Sequence, residues 1–195
     1  RDCTSLTSLD VSGFDTSEVI YMSAVFRGCT SLTSLDLSKW NVSNVMYFSS
    51  MFQATNSLRS IDIHGWSFDN AQYITYLFQG CSSAEEINLS GVRTDNITDF
   101  SGLFQGCSSL TNIEIPEGVT SIGDWAFYGC SNLNTITLPE GLASIGSATF
   151  KECRSLESIN IPDSVTSIGE GAFLACSRLK STNIPKALTK IENYL

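Results

Sequence analysis

Seven cysteines, a single histidine and a column of carboxylates are the side chains whose chemistry this chain could use. Cys3 and Cys29 stand 26 residues apart, as do Cys81 and Cys107, and Cys107, Cys130, Cys153 and Cys176 stand 23 apart, with Thr55 in the one vacant place. An odd count leaves at least one thiol unpaired within the chain. One cysteine per repeat, always at the same corner, predicts a core ladder of small buried hydrophobes. Side chains from equivalent positions of neighbouring coils point alike, which disfavours disulfides. Zinc is a poor fit, because the only histidine, His64, lies at a turn and there is no Cys-x-x-Cys pair. A Ser–His–Asp or Cys–His arrangement would have to use His64, whose repeat equivalents are Ser12, Ser38 and Ser90. It reads as one more exposed turn residue. The glycines follow the repeat and form no phosphate loop. The expectation is a protein without catalysis, metal or cofactor.

The carboxylate column reads Asp10, Asp36, Asp62, Asn88, Glu114, Thr137, Asn160 and Asn183. These positions lie between two inward-facing ones and therefore face outward. Carboxylates stacked at about 5 Å repel, so something must relieve them. A bound cation, a basic partner, or hydrogen bonds from Ser8, Ser12, Ser34 and Ser38 would do so; the solvated, hydrogen-bonded face is the favoured reading. A strand supplies too few convergent oxygens for calcium. The polar residues around the column vary: Thr7 and Ser8 with Asp10, Arg59 and Ser60 with Asp62, Glu85 and Glu86 with Asn88. A second column, Tyr21, Tyr47 and Tyr73, gives way to Asp99 in the fourth repeat. It serves equally as interface material or as stacks along the return segment. Asp10, Asp36, Asp62, Asn88, Glu114, Arg59, Glu86, Tyr21, Tyr47 and Tyr73 are thus the candidate partner-binding residues.

The elements that position these columns keep the same beat. One ladder reads Leu6, Leu32, Leu58, Ala84, Leu110, Leu133, Leu156 and Leu179; three residues on comes Leu9, Leu35, Ile61, Ile87, Ile113, Ile136, Ile159 and Thr182; two further comes Val11, Leu37, Ile63, Leu89, Ile115, Leu138, Ile161 and Ile184. This Leu-x-x-Leu-x-Leu pattern is that of a leucine-rich repeat, ending in a short strand with one face inward. Ser12-Gly13 and its equivalents, and later Pro116-Glu117-Gly118, turn the corner. A ladder of Phe26, Phe52, Phe78, Phe104, Phe127, Phe150 and Phe173 closes each repeat. Val19, Met22, Val25 and Phe26 are apolar at helical spacing, as are Val45, Phe48, Met51 and Phe52, which predicts one or two helical turns on the outer side. The shorter later segments, such as Val119–Gly123, are β-branched and predict a second extended stretch.

The expected architecture is an α/β leucine-rich-repeat solenoid, a horseshoe. About eight short parallel strands would line the concave face. Short helical turns in the N-terminal repeats and extended segments in the C-terminal repeats would form the convex side. Residues 1–108 form four 26-residue repeats and 109–195 the 23-residue repeats, continuous in one solenoid. The net charge of −9, without a basic stripe, argues against nucleic acid and anionic membrane surfaces. No apolar run is long enough to span a bilayer. Asn41-Val42-Ser43 and Asn96-Ile97-Thr98 are sequons of the kind a Ser/Thr/Asn-rich sequence produces by chance. Both ends fall within a repeat and lack polar caps, which predicts a piece of a longer chain with its targeting segments elsewhere.

The unit Ser109–Cys130 resembles the BspA-like, or Treponema pallidum-type, leucine-rich repeat almost at consensus. Leu35–Val45 followed by Met51-Phe52 is similar to the companion 26-residue bacterial surface-protein repeat. The resemblance covers essentially the whole chain. It implies secreted or cell-surface proteins, largely bacterial, that adhere to host matrix, host cells or other bacteria and carry no catalytic residues. A tyrosine column is unusual for the family, and Thr55, Ala84 and Thr182 depart from it at core positions. The function expected is a monomeric module that binds an extracellular or host-surface protein, with a passive spacer in a long surface protein as the alternative.

Overall fold

The structure, a computed structural model, describes residues 1–94, 97 and 99–191, with side chains as far as Thr189. Asn96 and Thr98 of the second sequon and the tail 192–195 lie outside the described residues. The chain winds as stacked coils: 3–28, 29–54, 55–80 and 81–106 are coils 1–4, 107–129, 130–152 and 153–175 are coils 5–7, and coil 8 starts at 176. Among the described residues ten strands of two or three residues form, β1 (Ser60–Asp62), β2 (Glu86–Asn88), β3 (Asn112–Glu114), β4 (Ser121–Ile122), β5 (Thr135–Thr137), β6 (Ser144–Ile145), β7 (Ser158–Ile159), β8 (Ser167–Ile168), β9 (Ser181–Thr182) and β10 (Lys190–Ile191). All pairings are parallel, as coils of one hand require.

Two expectations fail. First, no helix occurs among the described residues. The apolar spacing in the return segments reflects tight turns. The backbone is left-handed two residues before each phenylalanine, at Ala24 (φ 58), Ser50 (φ 59), Tyr76 (φ 59) and Gly102 (φ 61), and again two after it, at Gly28 (φ 69), Ala54 (φ 58), Gly80 (φ 71) and Gly106 (φ 74). A right-handed helix cannot pass through such residues. The N–H groups also bond along the solenoid axis rather than along the chain: Phe26 N donates to Met51 O at 2.9 Å and Gly28 N to Gln53 O at 2.8 Å.

Second, the row of eight strands is not continuous. On the face carrying the carboxylate column, β1 pairs β2, β3 pairs β5 and β7 pairs β9, with an isolated bridge between Ser8 and Ser34. The best-formed sheet lies on the return side of the 23-residue coils, in the order β10-β8-β6-β4. There the β-branched segments pair as expected.

The core runs between these faces. Phe52, Phe78, Phe104, Phe127 and Phe150 are at most 1% exposed and stack at centroid distances of 5.0–5.5 Å. Beside them, Cys81, Cys107, Cys130 and Cys153 are buried and unpaired. Each thiol donates to a phenylalanine carbonyl of the adjacent corner in the stack, as Cys107 Sγ does to Phe78 O at 3.1 Å and Cys153 Sγ to Phe127 O at 3.2 Å. That bond is what a cysteine offers here over an alanine. Thr55 fills the vacant place with a hydroxyl that donates to Phe52 O at 2.9 Å.

The left-handed columns carry a prediction. Ala54 (φ 58) and Ala175 (φ 63) occupy a column otherwise rich in glycine, which holds that conformation without a Cβ penalty. Ala54→Gly and Ala175→Gly should each raise the urea stability by about 0.5–1 kcal/mol, the left-handed penalty less the extra chain entropy of glycine. A loss of stability at both would refute the account.

Candidate functional site

The carboxylate column is built by the corner that follows each first strand. Asp10 Oδ1 accepts Ser12 N–H at 2.9 Å, Asp36 Oδ1 accepts Ser38 N–H at 2.9 Å and Asp62 Oδ1 accepts His64 N–H at 2.9 Å. Asn88 Oδ1 accepts both Ser90 N–H at 3.0 Å and Ser90 Oγ–H at 2.7 Å. Each is an Asx turn, in which the side chain caps the amide two residues on. Bonds from the Ser12 hydroxyl and amide, with a smaller contribution from Lys39, hold the Asp10 carboxyl below its usual range. The Ser38 hydroxyl and amide do the same for Asp36, against a small opposing push from Asp10. Of the four serines expected to donate, Ser12 and Ser38 do so, as the turn's own residues, whereas Ser8 and Ser34 make no hydrogen bond to an aspartate of the column among the described residues.

The motif stops where proline arrives. Two residues after Glu114, Thr137, Asn160 and Asn183 stand Pro116, Pro139, Pro162 and Pro185, which have no N–H to give. Asn183 turns instead to the preceding coil, donating Nδ2–H to Ile161 O at 2.6 Å and accepting Ile161 N–H on Oδ1 at 2.7 Å. The Asx-x-Ser and Glx/Asn-x-Pro spacings were visible in the sequence and distinguish a capped corner from an uncapped one.

The other candidates separate into two groups. Arg59 pairs with Glu85 at 3.2 Å, an exposed bridge, while Glu86 lies opposite Ser60 in the β1–β2 register. Asp62 lies opposite Asn88 in the same register. A groove of about 470 Å³ opens between coils 4 and 5 and takes in Glu86, Asn88, Ser90, Glu114 and Glu117. Tyr21, Tyr47 and Tyr73 run along the return segments, on the far side of the core. Their rings stack at 4.7 and 5.7 Å with interplanar angles of 6° and 16°. Tyr21 and Tyr73 remain mostly exposed at 70% and 55%. The stacking reading of this column holds: the rings pack on one another while Tyr21 and Tyr73 still face solvent. They do not join the carboxylates in one site.

His64 Nδ1 lies 2.9 Å from Ser90 Oγ, whose hydroxyl donates to Asn88 Oδ1 at 2.7 Å. No cluster of three or more His, Cys, Asp or Glu side chains able to hold a metal occurs among the described residues. Asn41 of the first sequon is tied into its own turn, accepting from Ser43 N at 3.1 Å and Ser43 Oγ at 2.8 Å. No helix among the described residues is long and apolar enough to cross a membrane.

Burial pushes the Cys130 thiol up to about 12 and that of half-buried Cys176 to about 11. A thiol reagent at mild pH should therefore modify exposed Cys3 quickly and Cys176 slowly, and the other five only after denaturation. Absorbance titration of the native and unfolded chain reads this directly. Rapid native modification of three or more thiols would contradict the ladder.

The sequence matches the family described as BspA type leucine rich repeat region over residues 96–195. Residues 1–117 match the family described as Mycoplasma protein of unknown function, DUF285. No curated protein matches it. Among solved structures, a leucine rich repeat protein of T. pallidum is similar at 26% identity over 70% of each chain, with a TM-score of 0.56. A leucine-rich repeat protein from Eubacterium ventriosum is 26% identical over 89% of this chain and 44% of its own, with a TM-score of 0.67. One from Bacteroides ovatus shares the fold at 22% identity, covering 98% of this chain and 56% of its own, with a TM-score of 0.66. The chain thus spans about half the length of the latter two proteins.

Proposed function

Because the chain belongs to the BspA-type leucine-rich-repeat family, we propose that it is a protein-interaction module that works in adhesion at the cell surface or after secretion. Its partner is an extracellular protein on a host matrix, a host cell or another bacterium. The binding surface is the first-strand face, with Asp10, Asp36, Asp62, Asn88 and Glu114 as its central column and Arg59 and Glu86 beside it. Tyr21, Tyr47 and Tyr73 offer a second contact row on the return side. The observation that carries the reading is the Asx-turn column. Backbone amides fix three exposed aspartates, one per coil, with little side-chain freedom left to lose on binding. A basic protein surface is the complementary partner.

The test uses Asp36→Asn together with Asp62→Asn. Asparagine keeps the turn, as Asn88 does at the same position, so charge changes while the fold stays. In a screen against matrix proteins, affinity for a positive hit should fall about two- to tenfold, the worth of one or two exposed ion pairs, and its salt dependence should flatten. A hit whose affinity and salt dependence do not move would remove the carboxylate column from the interface. A screen without hits favours the spacer role.

A further inference from the structure

The return side of coils 1–3 carries Tyr21, Tyr47 and Tyr73 in one column, and parallel bridges join Tyr21 to Tyr47 and Tyr47 to Tyr73. Backbone bonds hold each bridge on both sides. Tyr47 N donates to Ile20 O at 3.3 Å and Met22 N to Tyr47 O at 2.8 Å. One coil on, Tyr73 N donates to Met46 O at 3.4 Å and Phe48 N to Tyr73 O at 2.9 Å. Register therefore fixes which rings meet. Tyr21 lies on Tyr47 at 4.7 Å between centroids and 6° between planes, and Tyr47 on Tyr73 at 5.7 Å and 16°.

This stack differs from the phenylalanine ladder in lying at the surface: Tyr21 and Tyr73 are exposed and Tyr47 is half-buried between them. The coil does not need the rings. In coil 4 the same position holds Asp99, which accepts Ser101 N–H on Oδ1 at 2.8 Å. The other described tyrosines, Tyr76 and Tyr128, stack on no tyrosine, and the Tyr128 hydroxyl donates to Glu152 Oε1 at 3.1 Å. All seven cysteines are free, so no disulfide ties one coil to the next.

We propose that this column is an oxidative cross-linking site, at which a haem peroxidase with hydrogen peroxide joins neighbouring tyrosines of the folded chain as dityrosine. Each phenol gives up one electron and its hydroxyl proton and becomes a phenoxyl radical, with spin density on the ring carbons ortho to oxygen. One such carbon from Tyr21 and one from Tyr47 form a C–C bond. The hydrogen that each carries then shifts to oxygen, which restores two phenols. Two tyrosines and one hydrogen peroxide thus give one dityrosine and two waters. The exposed rings are open to the oxidant, and the stack holds the partner in contact, so coupling within the chain outruns collision between chains. Tyr21–Tyr47, closer and more nearly parallel, is the main product and Tyr47–Tyr73 the minor one. Either link joins residues 26 apart in sequence and constrains the unfolded chain as a disulfide would, a tie the free thiols do not supply. The site stands on ring geometry and does not depend on the adhesive reading.

The test treats the folded chain at low concentration with a haem peroxidase and hydrogen peroxide. Cys3→Ser and Cys176→Ala remove the thiols that are not fully buried and would compete for oxidant. The monomer is isolated by size and read by dityrosine fluorescence and peptide mass. The expected monomer has lost two hydrogen atoms and yields a linked pair of peptides containing Tyr21 and Tyr47. Tyr47→Phe keeps a ring in the stack but removes the phenol, and should lower the monomer's dityrosine fluorescence at least about tenfold, the advantage of partners held in contact. Tyr73→Phe should keep most of the signal. A monomer without dityrosine, or a monomer signal that Tyr47→Phe leaves unchanged, overturns the proposal.

Discussion

Replacing Phe104 with alanine should cost about 3–5 kcal/mol and split the unfolding of this chain into two transitions. The ring is 1% exposed and lies between Phe78 and Phe127 at interplanar angles of 11° and 14°. Alanine removes the buried transfer energy of the ring, leaves a cavity that stacked coils cannot close, and forfeits two aromatic contacts worth about 0.5–1.5 kcal/mol each. The position adds a second effect. Coils 4 and 5 bond through this corner, so the substitution weakens the coupling between the 26-residue and 23-residue coils. Stability in such a stack is a sum of coil and nearest-neighbour terms, and a weak neighbour term lets the two blocks melt apart. Trp40 and Trp66 report on the first block and Trp125 on the second, so urea titration by fluorescence and circular dichroism resolves them. Phe173→Ala, near the end of the stack and 6% exposed, should cost less and leave one transition. A Phe104→Ala chain that loses less than about 1 kcal/mol in one coincident transition would refute this account of the core.

The second large effect is expected at a glycine with an ordinary φ. A Cβ on Gly146 would lie 2.6 Å from Asp124 N and 2.6 Å from the carbonyl carbon of Gly123. Gly169 is the same, at 2.5 Å from Ser147 N. These atoms are backbone of the preceding coil, so relief requires the coils to part. Gly146→Ala should therefore lose about 3 kcal/mol or more, at the upper end for overpacking. Gly141→Ala, with nothing within 4 Å, should stay within about 0.5 kcal/mol. Similar midpoints for the two variants in thermal or urea unfolding would show that the coil spacing adapts. The two repeat types explain the glycine. Four residues before each phenylalanine the longer coils carry Met22, Phe48, Ile74 and Phe100, all buried, whereas the shorter ones carry Gly123, Gly146 and Gly169. The return strand has slipped by one residue, so Ile122, Ile145 and Ile168 now point inward and the next position faces backbone.

Much of this was legible in the residues. The leucine, phenylalanine and cysteine columns follow directly from equal spacing, and five of the seven thiols, all but Cys3 and Cys176 at the two ends, are buried as that spacing implies. The Asx turns were legible too, in Asp10-x-Ser12 and Asp36-x-Ser38, yet their role as caps is easily missed when the aspartates are read only as charge. Helical turns were a misreading. Met22, Val25 and Phe26 have helical spacing, but Ala24 between them is left-handed, and alanine carries no sign of that in a single sequence.

The sequence by itself determined which side chains share a column, because a position repeated at a fixed interval must meet its own copies when the coils stack. It also determined where one kind of coil gives way to the other, at the change from 26 to 23 residues. Only the tertiary structure decided where the backbone amides bond. A turn and a helical loop differ little in local energy, and the choice fell to the carbonyls of the adjacent coil, as when Phe26 N takes Met51 O. The same competition decided that β1 and β2 pair while β2 and β3 do not. A hydrogen bond between coils depends on the spacing of two chain segments more than twenty residues apart, and no single repeat carries that information.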